Sequence, residues 1–176
     1  MSRLTIASIV ATGKIDREFD LATLANDIDC YSYDYEEGRS GLHVQFYEEG
    51  PTATIFRSGS CNIRGASSEK ALYENKSMLE DAISNLGIEG TISRFQITNI
   101  VFTADLNKSI DLNELAVKLG LENVEYEPEQ FPGLVYRLDQ GVILIFASGK
   151  LVLTGFTNRK DAKQALNTLS NKLTDV

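Results

Sequence analysis

This chain of 176 residues has one histidine, two cysteines and fewer bases than acids. Each scarcity closes off a class of function. The single histidine, His43, lies in a strand-like context with no nucleophile near it in sequence, so Ser–His or Cys–His catalysis lacks its base. Cys30 and Cys61 stand alone without metal-ligand spacing, and read as buried small residues rather than a disulfide. No phosphate-cradling glycine loop and no ligand cluster occurs, so no cofactor, metal or enzymatic activity is expected. No apolar run approaches the roughly 18 residues of a membrane span. The opening Met1, Ser2, Arg3, Leu4 carries no signal-peptide core, which sets the expectation of an intracellular protein with no membrane partner. Lys and Arg number 17 against 25 Asp and Glu, a net charge of −8. That excess argues against loose, charge-driven binding to nucleic acid but leaves open binding through an apolar face.

What the chain does have is a duplication. Ile9, Asp20, Gly41, Ile55 and Gly65 are matched by Ile100, Asp111, Gly133, Ile145 and Gly155, at offsets of 91, 91, 92, 90 and 90 residues. So steady a shift marks one unit copied once. Two copies are too few for a solenoid and imply one body with an approximate two-fold axis. We divide the chain into repeats over 1–89 and 90–176. The charge divides unevenly: the first repeat has fifteen acids against eight bases, the second ten against nine.

Each repeat reads as strand, short helix, several antiparallel strands and long helix. Residues 3–12 are rich in β-branched types. Leu21, Leu24, Ala25 and Ile28 fall on one helical face, with Asp20 as N-cap. Residues 42–47 and 52–57 flank a turn at Glu48–Pro51, and 61–65 follow as a strand. Ser67 and Ser68 open a helix running to about Leu86 and stopped by Gly87. The second repeat places strands at about 94–104, 123–127, 133–139, 142–147 and 150–155. Its helices run from Asp111 to Gly120 and from about Asn158 to Leu173. The class is α+β, with antiparallel strands and helices on one face. A sheet face left without helices, and carrying apolar residues, is a binding surface.

The second repeat then supplies a motif. Phe131 and Pro132 are followed by Gly133, Leu134 and Arg137, then Leu144, Phe146, Ser148, Gly149, Lys150, Val152, Thr154 and Gly155. From Phe146 onward the even-numbered positions alternate onto one strand face. These residues resemble the TATA-box-binding protein family. The likeness spans essentially the whole chain, and is strongest over 96–156 and weakest over 1–66. The resemblance implies a pseudo-two-fold saddle, a ten-stranded curved antiparallel sheet with four helices on its convex face. It implies binding to A·T-rich promoter DNA in the minor groove with bending of the duplex, a mode for which this family is itself a standing example. By the same resemblance Phe131 and Phe146 are wedges that unstack a base step, beside Pro132 and Leu144. Asn99 and Thr154 are groove hydrogen-bonders, Val101 and Val152 press on the groove floor, and Arg137, Ser148 and Lys150 meet phosphates. Physical chemistry agrees: an amide donates to the adenine N3 and thymine O2 acceptors, while an apolar floor rejects the guanine amino group.

The first repeat keeps only part of this set. Val10, Phe56 and Ser58 match, and Arg64 stands where threonine is expected. Arg39 or Ser40 occupies the place of the missing wedge. Ser8 replaces the asparagine, Gln45 the arginine, Thr54 an apolar residue, Ser60 the lysine and Asn62 the valine. A missing wedge predicts a weaker kink at that end. Missing phosphate contacts predict lower affinity and a shallower salt dependence, by about 0.9 in log–log slope per contact. Arg39, Arg57 and Arg64 are candidates to enter or flank a narrow groove.

The resemblance also implies partners. Glu125, Glu127 and Glu129 around Pro128 correspond to the loop that contacts transcription factor B, and acids beside an apolar anchor suit a basic partner. A homodimer through the concave face is implied for the DNA-free protein. The expected function is a general transcription initiation factor, located in the cytoplasm of an archaeal cell in association with the nucleoid. The alternative is a relative that binds or bends DNA weakly or not at all and works as a protein-interaction module or regulator.

Overall fold

The computed structural model describes residues 3–174. In chain order the strands and helices are β1 (Thr5–Ile15), α1 (Leu21–Asp27), β2 (Ser32–Asp34), β3 (Gly41–Gln45), β4 (Thr52–Phe56), β5 (Ser60–Ala66), α2 (Glu69–Ser84), β6 (Ile92–Asp105), α3 (Leu112–Leu119), β7 (Val124–Glu125), β8 (Gly133–Arg137), β9 (Val142–Phe146), β10 (Lys150–Phe156) and α4 (Arg159–Thr174). The described residues thus form an α+β fold of four α-helices and one ten-stranded sheet, ordered β2-β3-β4-β5-β1-β6-β10-β9-β8-β7. Pairings are antiparallel on both flanks. β1 and β6 also run antiparallel: Thr98 Oγ1 donates to the Val10 carbonyl and Ser93 Oγ to the Lys14 carbonyl, so one strand rises as the other falls.

Two compact units share these elements. One is Ser8–Thr98; the other joins the residues up to Ala7 to those from Asn99 onward. Strands β1 and β6 each contribute to both.

In the unit Ser8–Thr98, Ile9, Ala11, Leu42, Val44, Ala53, Ile55, Cys61 and Ile63 alternate along their strands and are buried. Their cover is Leu21, Leu24 and Ala25 of α1 with Leu72, Leu79, Ala82 and Ile83 of α2. The spacing of those apolar residues is what makes each helix one-sided. Asp20 caps α1 by accepting from the Thr23 N–H at 2.9 Å, and Ser68 caps α2 by accepting from the Ala71 N–H at 3.1 Å. Cys30 and Cys61 are free thiols, and burial pushes the Cys61 thiol up to about 11. Two polar residues are buried in this unit, Thr54 of β4 and Asn75 of α2; Asn75 is fully buried, and neither end of its amide has a partner among the described residues.

The other unit repeats the plan. Ile100, Phe102, Leu134, Tyr136, Ile143, Ile145, Leu151 and Leu153 are buried beneath α3 and α4. Asp111 caps α3 through the Asn113 and Glu114 N–H groups.

Element order and type agree with the sequence reading, and the boundaries moved for local reasons. β1 continues to Ile15 because its end is paired, the Ile15 N–H donating to the Gly59 carbonyl at 2.9 Å. α2 ends at Ser84, and a tighter turn carries the chain through Leu86 to Gly87, whose φ is +77°. The segment 123–127 is mostly not strand: Leu121–Asn123 form a 3-10 turn and only Val124–Glu125 pair with β8. β2 was not read from sequence at all. Its three residues, Ser32, Tyr33 and Asp34, are too few to show a period, and it exists only through pairing with β3.

Candidate nucleic-acid interface

In both units the strand residues that alternate with the core form a face without helices. On the unit that includes the residues from Asn99 onward, β-pairing aligns Val135, Leu144, Val152 and Thr103 directly opposite one another across β8, β9, β10 and β6. A second row aligns Arg137, Val142 and Thr154. A third places Gly133 opposite Phe146 and, on the neighbouring strands, Lys150 opposite Asp105. Val135, Val142, Leu144, Phe146, Val152 and Thr154 are all half-buried. The residues between them, such as Ile143, Ile145, Leu151 and Leu153, are buried on the opposite side. This face is therefore apolar and open without being core.

Phe131 and Phe146 stand edge to face, with ring centroids 5.8 Å apart and planes at 66°. Two local devices seat the pair. A turn closes behind Phe131, whose N–H donates to the Glu127 carbonyl at 3.0 Å. Gly133 lies under both rings, and a Cβ there would come within 2.7 Å of Phe131 and 3.1 Å of Phe146. The absence of a side chain at 133 is thus what lets the rings sit down on β8. Pro132 between them is exposed.

Asn99 is held in one orientation. The Gly155 N–H donates to its Oδ1 at 2.7 Å, and its Nδ2 donates to Thr154 Oγ1 at 3.3 Å. A backbone N–H can only donate, so the amide must turn its oxygen toward Gly155. The NH2 group has a second hydrogen free for an acceptor on the open face.

A groove of ≈ 650 Å³ lies along the same unit, lined by Arg3, Thr5, Thr103, Ala104, Asp105, Phe146, Ser148, Lys150, Leu151 and Val152. It brings together Phe146, Ser148, Lys150 and Val152, as expected from their alternation. It also adds residues that sequence reasoning missed: Arg3, Thr5 and Thr103. Thr103 and Val135 had a legible signal, because each is two residues from a named position on its strand, Val101 and Arg137. Arg3 and Thr5 had none, since only the fold brings the start of β1 to this groove.

Arg137 and Glu125 were assigned to different partners, yet they bond to each other. Arg137 Nε donates to Glu125 Oε1 at 2.8 Å and a terminal nitrogen donates to Oε2 at 3.1 Å. These hydrogen bonds, reinforced by the charge, hold the Glu125 carboxyl below its ordinary range and raise the Arg137 guanidinium above its own. Glu127 and Glu129 are exposed beside them.

The unit Ser8–Thr98 has the same backbone arrangement with different chemistry. Asp34, His43, Thr54, Asn62 and Thr12 oppose one another across β2, β3, β4, β5 and β1. His43 Nδ1 and Thr54 Oγ1 share a 2.8 Å hydrogen bond. Arg64 stands opposite both Thr52 and Val10. Phe56 faces Gly41, but as a single ring. Arg39, which with Ser40 is a candidate for the place of the missing wedge, is drawn sideways by Asp34 at 3.3 Å and Glu36 at 2.8 Å. Gln45, in the place of the arginine, is engaged locally: its Nε2 donates to the Gly50 carbonyl at 3.0 Å and its Oε1 accepts from Ser32 Oγ at 3.3 Å. Ser58 and Ser60 bond each other at 3.1 Å.

Comparison with known proteins bears on the family and the fold. The family model described as transcription factor TFIID, or TATA-binding protein, matches residues 3–85 and again 94–176. A TATA-box-binding protein of Haloarcula marismortui is 41% identical over 98% of this chain and 94% of its own length. TATA-box-binding protein C of Halobacterium salinarum is 39% identical over 97% of both. The solved structure of the Methanococcus jannaschii protein superposes with a TM-score of 0.83, at 38% identity over 99% of each chain. No helix among the described residues is long and apolar enough to cross a membrane.

Proposed function

The chain belongs to the TATA-box-binding protein family of transcription factors, and from that premise we propose that it binds A·T-rich promoter DNA in the minor groove, bends it and recruits transcription factor B. The family model describes a transcription factor rather than an enzyme. One observation carries the DNA reading: the Phe131–Phe146 pair seated over Gly133, at the edge of an apolar face that also presents the oriented amide of Asn99. Rings so placed can enter a base step, at a cost of about a few kcal/mol that wider contact offsets. Val135, Leu144 and Val152 then lie on the groove floor, where a guanine amino group has no acceptor. Lys150, Ser148 and Arg3 flank the groove as phosphate partners that position without reading sequence. Glu127 and Glu129, with Glu125 beside them, offer acids to a basic surface of factor B.

A second reading has an observation of its own. In the unit Ser8–Thr98 the wedge position falls on Arg39 or Ser40, with Arg39 clasped by two acids, and the groove-floor positions are polar. That favours a protein that bends DNA weakly and acts more through protein contacts. A gel-shift and bending assay across a salt series separates the two. Bent, salt-sensitive, A·T-selective complexes support the first reading. Intact binding to factor B without DNA binding would establish the second.

A further inference from the structure

We propose that the unit Ser8–Thr98 reads base pairs by a different rule from its counterpart, and that its polar row admits a G·C pair where the apolar row of the second repeat rejects one. The inference rests on the minor-groove reading above and names the specificity of that site.

The two rows occupy equivalent positions. The repeat offsets carry His43 onto Val135, Thr54 onto Leu144, Asn62 onto Val152 and Thr12 onto Thr103, and the strand pairings align each set of four across its own strands. Three apolar side chains are thus exchanged for an imidazole, a hydroxyl and an amide in one continuous line. Scattered drift would leave these polar groups pointing at unrelated neighbours. Here they are organised: Thr54 is only 2% exposed, and its hydroxyl bonds to His43 Nδ1 at 2.8 Å. That bond turns the imidazole so that Nε2 is its remaining polar atom. Asn62 is half-buried, and its amide makes no side-chain hydrogen bond among the described residues.

The minor groove explains why the exchange matters. A·T pairs show only acceptors there, whereas a G·C pair adds the guanine N2 amino donor. Against Val152 that donor is desolvated without a partner, which disfavours G·C. Against Asn62 the side-chain oxygen can accept it, while the NH2 of the same amide still serves the A·T acceptors by rotation. Asn62 is therefore a specificity-determining residue, and His43, held by Thr54, is its neighbour in the row.

The test uses the full chain and a set of duplexes derived from one A·T-rich element. Each base pair in turn is replaced by G·C, or by inosine·cytosine, which lacks the amino group. We expect positions in one half of the element to tolerate G·C, with inosine giving no gain. In the other half G·C should cost about tenfold or more, with inosine restoring affinity. For each variant the readout is the ratio of G·C to A·T affinity, in which any general loss of binding cancels. Asn62→Val should make the tolerant half reject G·C by a similar factor, and Val152→Asn should relax the rejecting half. Melting temperature and circular dichroism establish that each variant is folded. Equal rejection of G·C in both halves, with a ratio unmoved by Asn62→Val, would overturn the proposal while leaving minor-groove binding standing. Failure to bind any A·T-rich duplex would overturn the groove reading and this proposal with it.

Discussion

Arg137 grips Glu125 through two parallel hydrogen bonds of 2.8 and 3.1 Å on an exposed stretch of the second repeat. A guanidinium so engaged has two of its five N–H donors occupied and its charge offset by the carboxylate, so it attracts a phosphate less strongly. Glu125 therefore competes with DNA for Arg137. Glu125→Gln should raise DNA affinity at low salt. Arg137→Ala should lower it and reduce the slope of log affinity against log salt by about 0.9. A salt titration of binding for both variants measures this, and an unchanged slope for Arg137→Ala would show that the arginine stays with its acid.

The aromatic pair makes a steric prediction. Phe131→Ala or Phe146→Ala should each cost about thirtyfold or more in affinity for the promoter element, as truncation of a central aromatic anchor does. Gly133→Ala should lower affinity and bend angle together while leaving both rings in the chain, because the added Cβ displaces them from β8. Fluorescence transfer across the duplex reads the angle; normal bending by Gly133→Ala would refute the seating argument.

The other repeat invites a gain of function. Arg39→Phe removes the residue held by Asp34 and Glu36 and supplies a ring two residues before Gly41, the cross-strand partner of Phe56. The bend angle should increase, and the same assay on wild type and variant checks it.

Acid should weaken the fold partly through Asp20. Its hydrogen bonds from Thr23 hold its carboxyl below the ordinary aspartate value. A depressed folded-state pKa contributes stability that is complete above the unfolded value and lost as pH falls through the folded one. Asp20→Asn keeps a capping oxygen but no longer titrates, so its stability curve should be flatter on the acid side. Denaturant melts in steps below pH 5 give the comparison.

Asn75 is expected to cost stability where it stands. Its buried amide lacks partners among the described residues, and an unsatisfied polar group in a core costs about 1–3 kcal/mol. Asn75→Leu, which keeps the branched shape, should raise the unfolding free energy by about that amount, read as a higher denaturation midpoint with an unchanged m-value.

Much of this was legible without coordinates. The 90–92-residue offsets revealed the duplication, helical spacing of Leu21, Leu24 and Ala25 revealed α1, and alternation after Phe146 put Ser148, Lys150, Val152 and Thr154 on one face. These are local signals, since helix and strand periods depend on neighbours within a few residues. β2 escaped because three residues hold no period. Arg3 and Thr5 escaped because they meet Lys150 only in the fold, far from it along the chain.

By itself the sequence determined the repeat, the order of elements, the one-sided helices and the family, because each is written in short-range pattern or in identity at fixed spacing. Tertiary structure alone decided which of the matching residues are free to act. It closed Arg137 onto Glu125, drew Arg39 to its acids and turned the Asn99 amide by the Gly155 N–H. It also aligned His43, Thr54 and Asn62 into one row. Apart from the local Arg39 pairs, these hydrogen bonds and cross-strand registers join residues distant in sequence, and no periodicity along the chain records them.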